Sequence, residues 1–179
     1  MSFMLYASDH NGELPVYVAL DNNGNRTITW HKVLCEGGYA GCTDQEARGW
    51  YGVGGAAAGH KTIFWCPSDQ RNPTRDNTHP QGVSYPINAI ITNDSGNPGY
   101  TWLTLNGVQH PTQTMLVIDG WRYNYEWGVI WIQPYTQMDR IDYRHRGAAQ
   151  YLCIDGHVTE LRPEDATSDP KDPFWGKPN

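Results

Sequence analysis

The chain has 179 residues and a formal net charge of -6, a length sufficient for one domain with its own core. Hydrophobic residues make up 39% and charged residues 18%, with 19 Gly, 12 Pro, 8 Trp and 11 Tyr, a balance that argues against a helical bundle rich in Ala, Leu, Glu and Lys. The acidic charge, with no basic run interleaved with aromatics, argues against nucleic acid as a partner. No stretch approaches the roughly 20 apolar residues that a membrane-spanning helix needs.

In chain order, "SFMLYA" reads as the last turns of a helix, stopped by the turn formers Asp9, Asn11 and Gly12 and by Pro15. "TITWHKVL" fits a strand or a short helix. Residues 35–60, with "GVGGAAAG", read as a Gly-rich surface insert. "KTIFWCPSD" reads as a strand running into a turn set by Pro67 and Asp69, and "RNPTRDNTHPQG" as a loop. "VSYPINAIIT" is apolar but interrupted by Pro86, which predicts an edge strand or an irregular segment. "TMLVIDG" reads as a short buried strand and "WGVIWI" as a second. "AAQYLCIDGHVTEL" is the strongest hairpin signal, with a two-residue type I′ turn expected at Asp155-Gly156. The tail, 162–179, is polar and Pro-rich, with Phe174 and Trp175 as anchors. No internal repeat divides the chain, which reads as a single domain over 1–179.

The four cysteines, Cys35, Cys42, Cys66 and Cys153, allow three pairings. Cys35 and Cys42 flank "EGGYAG" and are expected to bridge, which leaves Cys66 to Cys153; free thiols are the competing reading. Disulfides favour an oxidising compartment. A Cys-based zinc site has no CxxC pair to support it.

The motifs of common enzyme classes are absent: no G-x-S-x-G, no H-E-x-x-H and no G-x-x-x-x-G-K-[ST]. "GVGGAAAG" lacks the Lys-Ser/Thr of a phosphate loop. His145, Asp155 and His157 are metal-ligand types and the candidate residues for a metal-dependent hydrolase. A hairpin turning at Asp155 would hold His145 about 25 Å from its tip, so no shared ion is expected, and Asp155 is read as a turn residue. No cofactor is expected; calcium is the candidate that the turns "SDHNGE", "LDNNGN" and "TNDSGN" raise, although turn chemistry explains them at less cost. Trp102, Trp121, Trp127 and Trp131 raise a secreted carbohydrate-binding module as an alternative.

Five ordered motifs resemble one family. "YASDHNGELP", with Tyr6, Asp9, Gly12 and Pro15, resembles the segment that follows the long N-terminal helix of prepilin-type, pseudopilin-like proteins, similar to the major pseudopilins of type II secretion. "FWCPSD", with Cys66, Pro67, Ser68 and Asp69, "SYPINA" with Asn88, and "HPTQTMLVIDG" with Asp119 resemble that family's inner motifs. "RHRGAAQYLCIDGHVTEL" resembles its closing signature, a His, nine residues and then Asp-Gly: His145, Asp155 and Gly156.

The resemblance implies an α+β, pilin-like fold, the remnant of an N-terminal helix packed on an antiparallel sheet with long loops. It implies a non-enzymatic structural subunit of a type II secretion or type IV pilus-like filament. Its partners would be other pseudopilin-like subunits and the secretion or pilus machinery. It also implies a periplasmic or extracellular domain, with the full-length protein anchored in the inner membrane through a helix that the chain lacks. The Gly-rich insert departs from the compact family pattern.

Overall fold

The computed structural model describes residues 2–15, 18–20, 26–41, 63–64, 66–68, 84–92, 104–120, 131–132 and 138–176. Helix α1, Ser2–Asp9, buries Phe3 and Ala7, one turn apart on a single face, and leaves Leu5 half exposed. Its end is built as anticipated. Asn11 (φ 55°) and Gly12 (φ 84°) both enter the left-handed region, and Gly12 N donates to Ala7 O at 2.7 Å, the six-to-one bond of a Schellman stop. Gly12 O then accepts from Leu105 N, and Glu13 bridges Thr104, so the stop also aims the chain across the domain.

"TITWHKVL" contains both of the elements it allowed. Strand β1, Val18–Leu20, pairs antiparallel with β2, Arg26–Thr29, and β2 runs without a break into helix α2, Trp30–Glu36. The helix ends where Tyr39 N reaches back to Leu34 O, with Gly38 at φ 78°. Trp30 stacks on Phe3 and meets Phe64 edge-on, both at 5.2 Å between ring centroids, which locks α1, α2 and the Phe64 segment into one cluster.

The main sheet has five strands in the order β5-β3-β4-β6-β7. These are β3 Ile87–Asn88, β4 Met115–Ile118, β5 Trp131–Ile132, β6 Ala149–Cys153 and β7 Val158–Leu161. Strands β3, β4, β6 and β7 pair antiparallel with one another in that order, and β5 adds to β3 in parallel. The class is therefore α+β on an antiparallel sheet. All four residues of β4 are buried because both faces of the sheet are covered. Leu116, Val117 and Leu152 join the helix-side cluster with Phe3, Trp30 and Leu34. Met115, Ile118, Ala149 and Tyr151 join a second cluster with Phe174 and Trp175. The expected anchors of the tail are thus part of the core on that side: Trp175 is fully buried and its indole N–H donates to Thr167 O.

Four expectations are corrected. Within "VSYPINAIIT" the described residues are irregular or turn apart from 87–88, as the irregular alternative expects, but the edge-strand alternative fails because 87–88 is interior: Pro86 lies one residue before it, where its missing N–H is not needed and its carbonyl accepts from Ile118 N. Residues 63–64 form a turn rather than a strand. The hairpin is not closed by a type I′ turn at Asp155-Gly156, because Gly156 has positive φ and Asp155 does not. Gly156 N donates to Cys153 O and Cys153 N to His157 O, a three-residue loop with a left-handed glycine in its last position. Finally, Cys66 and Cys153 are buried free thiols, not a bridge. Cys153 pairs with Met115 at the start of β4, whereas Cys66 lies near Asp119 beyond its other end. At 3.3 Å per residue these places are about 13 Å apart, and a disulfide needs Cα atoms within about 7 Å. Cys35 is disulfide-bonded; its expected partner Cys42 lies outside the described residues. The bulk of the Gly-rich insert, 42–60, and "WGVI" of the second predicted strand lie outside them as well.

Candidate functional site

Three residues from three separate motifs converge beyond the end of β4. Asp119 directly follows the strand, and its backbone is held from two directions: its N–H donates to Gln150 O at 2.8 Å and its carbonyl accepts from Asp142 N at 3.0 Å. Oδ2 of its side chain accepts from Gln150 N at 2.7 Å. The carboxyl is fully buried. Burial raises its pKa, and the Gln150 hydrogen bond and the Arg144 and His145 charges only partly offset that rise. Oδ1, also buried, has no hydrogen-bond partner among the described residues.

His145 is delivered by a tight turn. Its N–H and carbonyl pair with those of Ala148, and the two residues between, Arg146 (φ 57°) and Gly147 (φ 83°), both have positive φ, as a type I′ turn requires. The turn geometry expected at Asp155-Gly156 therefore occurs nine residues earlier, and it places the imidazole Nε2 3.3 Å from Asp119 Oδ2. Gly147→Ala is expected to cost about 1–2 kcal/mol, because a β-carbon in the left-handed region is strained. Chemical denaturation measures that cost.

Cys66 comes from the third direction. Ser84 fixes it: Ser84 Oγ accepts from Cys66 N at 2.9 Å, Ser84 N donates to Phe64 O, and Ser84 O accepts from Gly120 N. One serine thereby ties the cysteine segment to the residue after Asp119. Gly120 admits this approach because it has no side chain; a β-carbon there would sit 2.4 Å from the Pro86 ring. Cys66 Sγ lies 3.5 Å from His145 Nε2. The Tyr85 hydroxyl hydrogen-bonds to the thiol, and burial, reinforced by that bond, pushes the phenol well above its usual range. The Arg144 guanidinium bonds Gly120 O and pairs with Asp142 at 2.9 Å.

Thiol and carboxylate thus approach the same ring nitrogen. A nucleophile–base–carboxylate relay needs them on opposite nitrogens, so the trio is not built as a Cys-His-Asp catalytic triad. Its atoms suit joint ligation of one ion instead: Sγ, Nε2 and a carboxylate oxygen all lie within 4.8 Å of one another.

The other candidate set does not assemble. His145 belongs to this cluster, while Asp155 and His157 sit at the hairpin tip beside Cys153. There Asp155 Oδ1 accepts from both the His157 backbone N and Nδ1, the latter at 2.6 Å. Burial would raise the Asp155 carboxyl, but the His157 hydrogen bonds outweigh it and hold it below its ordinary value. Burial, with the Asp155 charge, raises the Cys153 thiol to about 11. Both carboxylate interactions are spent on the turn, as the residue's reading as a turn former implies.

The remaining signature residues are architectural. Asp9 accepts from the Tyr39 hydroxyl, Tyr6 stacks on His10, Gly12 closes the end of α1, and Pro15 is buried six residues beyond that helix. Pro67 and Ser68 are exposed turn residues, and Asp69 lies outside the described residues. So do most of "LDNNGN" and "TNDSGN"; within "SDHNGE" Asp9 is engaged by Tyr39. Of Trp102, Trp121, Trp127 and Trp131, only the backbone of Trp131 is described, and Trp30 and Trp175 are buried. The Cys66–Asp119–His145 convergence was not read from sequence. In sequence the three belong to three separate motifs of the resemblance, and each lies at or near a turn former: Cys-Pro, Asp-Gly and His-x-Gly.

No protein-family model matches the chain, and no curated protein or solved structure matches it.

Proposed function

We propose that the chain is a non-enzymatic, pilin-like subunit of a type II secretion or type IV pilus-like filament, facing the periplasm or the exterior. The observation that carries this reading is the seating of α1. Phe3 packs in the cluster that holds Leu116 and Val117 of the antiparallel sheet and Ala7 on the same helix face is buried, while Leu5 is 50% exposed. A helix that splits its apolar residues between its own domain and solvent suits helix-on-helix assembly with further copies. The five ordered motifs support the same reading. So does the disulfide at Cys35, a bond that persists in oxidising compartments. Ile63 and Val158, at 59% and 62% exposure, flank an apolar groove of about 320 Å³ beside α1 and α2, a further surface for subunit packing.

The encoded precursor tests the proposal. A prepilin peptidase site followed by roughly 20 apolar residues upstream of Ser2 is expected; a precursor with neither overturns it. Leu5→Glu is expected to change stability by no more than about 0.5 kcal/mol, as exposed substitutions do, and to abolish assembly in cells. Filaments formed normally by that variant would remove α1 from the interface.

A further inference from the structure

We infer that Cys66, Asp119 and His145 form a binding site for a divalent first-row metal of borderline softness, with Zn²⁺ its best fit. The inference rests on side-chain geometry and holds whether or not the chain assembles into a filament.

The distances carry it. With zinc bonds of about 2.3 Å to sulfur and about 2.0 Å to nitrogen and oxygen, tetrahedral angles place a ligating sulfur about 3.6 Å from a ligating nitrogen, and that nitrogen about 3.3 Å from a ligating oxygen. Cys66 Sγ and His145 Nε2 are 3.5 Å apart, and His145 Nε2 and Asp119 Oδ2 are 3.3 Å apart. A direct histidine–carboxylate hydrogen bond would be shorter, about 2.7–2.9 Å. Hydrogen bonding has a second difficulty, because one ring nitrogen cannot donate to both neighbours. A shared cation between the three atoms resolves both points.

The Asp119 oxygen Oδ1 is the independent observation. A fully buried carboxylate oxygen with no partner is costly, and a cation bound at this carboxyl, through Oδ2 alone or through both oxygens, would offset the cost of burying the group. The donor set also selects the ion. One thiolate, one imidazole and one carboxylate suit zinc and its neighbours, whereas calcium and magnesium take all-oxygen shells. Thiolate and carboxylate together neutralise the 2+ charge. His145 is 31% exposed, which leaves one side open for a water ligand and for metal entry. Tyr85 adds an outer hydrogen bond to the sulfur. The bound ion would tie the Cys66 segment, which is not part of the sheet, to the ends of the paired strands β4 and β6.

The full chain, purified without chelator, is titrated with Co²⁺ and Zn²⁺ at neutral pH. One Co²⁺ per chain with a thiolate-to-cobalt charge-transfer band is expected, displaced by Zn²⁺. Cys66→Ser removes the band, and His145→Gln weakens binding more than about 100-fold, beyond the 10–100-fold typical of outer partners. Tyr85→Phe falls within that outer range, and His157→Gln, at the hairpin tip, leaves affinity unchanged. No charge-transfer band in the wild-type chain overturns the inference without reference to how any variant folds. A band that survives Cys66→Ser, or one lost in His157→Gln with the fold intact by circular dichroism, overturns it equally.

Discussion

Replacing Asn88 by alanine is expected to destabilise the domain by about 4 kcal/mol, since several buried groups would lose their partners at about 1–3 kcal/mol each. The residue is fully buried in β3, and its side-chain amide makes three hydrogen bonds. Its Nδ2 donates to Met115 O at 2.8 Å and to Trp175 O at 3.2 Å, and its Oδ1 accepts from Ile90 N at 3.0 Å. Two buried carbonyls and one N–H would be orphaned together. The Trp175 carbonyl matters most, because it fastens the C-terminal tail over Met115, Ile118 and Ala149. Thr114 Oγ1 to Pro173 O and Met115 N to Phe174 O are the tail's neighbouring attachments. Urea denaturation measures the loss, and a red shift of tryptophan emission before the main transition is the sign of the tail lifting first. A loss under about 1 kcal/mol, the scale of a single exposed hydrogen bond, would contradict this role.

Acidification is expected to weaken the fold from about pH 6.5 downward, at close to 1.4 kcal/mol per pH unit, the slope of one proton. The group responsible is His31. It is fully buried between the rings of Trp30 and Phe64, and burial lowers its pKa well below the ordinary histidine value. In the unfolded chain its pKa is ordinary, so that state takes up the proton first as pH falls. The stability tied to a neutral His31 is therefore complete above the unfolded pKa and is lost as pH drops toward the folded one. Asp155, whose carboxyl is held low by His157, contributes in the same direction only in the acid range of carboxylates. His31→Met, similar in bulk and without a titrating group, is expected to flatten stability between pH 7 and pH 5. An equally steep decline in that variant would place the proton elsewhere.

The segments read correctly from sequence are those whose local pattern and tertiary setting agree. "TMLVIDG" is apolar throughout, and β4 is covered on both faces. Asn11-Gly12 supplies the two left-handed positions at which a helix can stop, and α1 stops there. Elsewhere the local signal competes with something longer in range. Pro86 argues for an edge when the strand is taken alone; in the fold it falls one residue ahead of β3, and β5 closes the side that looked open. Asp-Gly is the stronger type I′ dipeptide, yet Arg146-Gly147 takes that turn. There the non-glycine left-handed residue is held by the reciprocal His145–Ala148 pairing.

The Cys66–Asp119–His145 cluster was hidden for a different reason. Strand geometry correctly separates His145 from Asp155, but it cannot reveal what lies across the sheet end. The residues are 53 and 26 positions apart, and their meeting depends on Ser84 holding Cys66 and on Gly120 letting Pro86 approach. The pairing of Cys66 with Cys153, inferred from what remained once Cys35 and Cys42 were matched, fails on the same point. Cys66 belongs with His145, and Cys153 belongs with the hairpin tip.

The filament reading is tested most directly by placing a photo-crosslinking amino acid at position 5 of the full-length precursor, in cells that express it. Leu5 is exposed while Phe3 and Ala7 are buried, so the probe faces away from the domain's own core. Irradiation is expected to give a ladder of self-adducts of this chain, which disappears when the prepilin peptidase is inactivated. A probe that stays monomeric, or that captures only proteins other than this chain, would contradict the account.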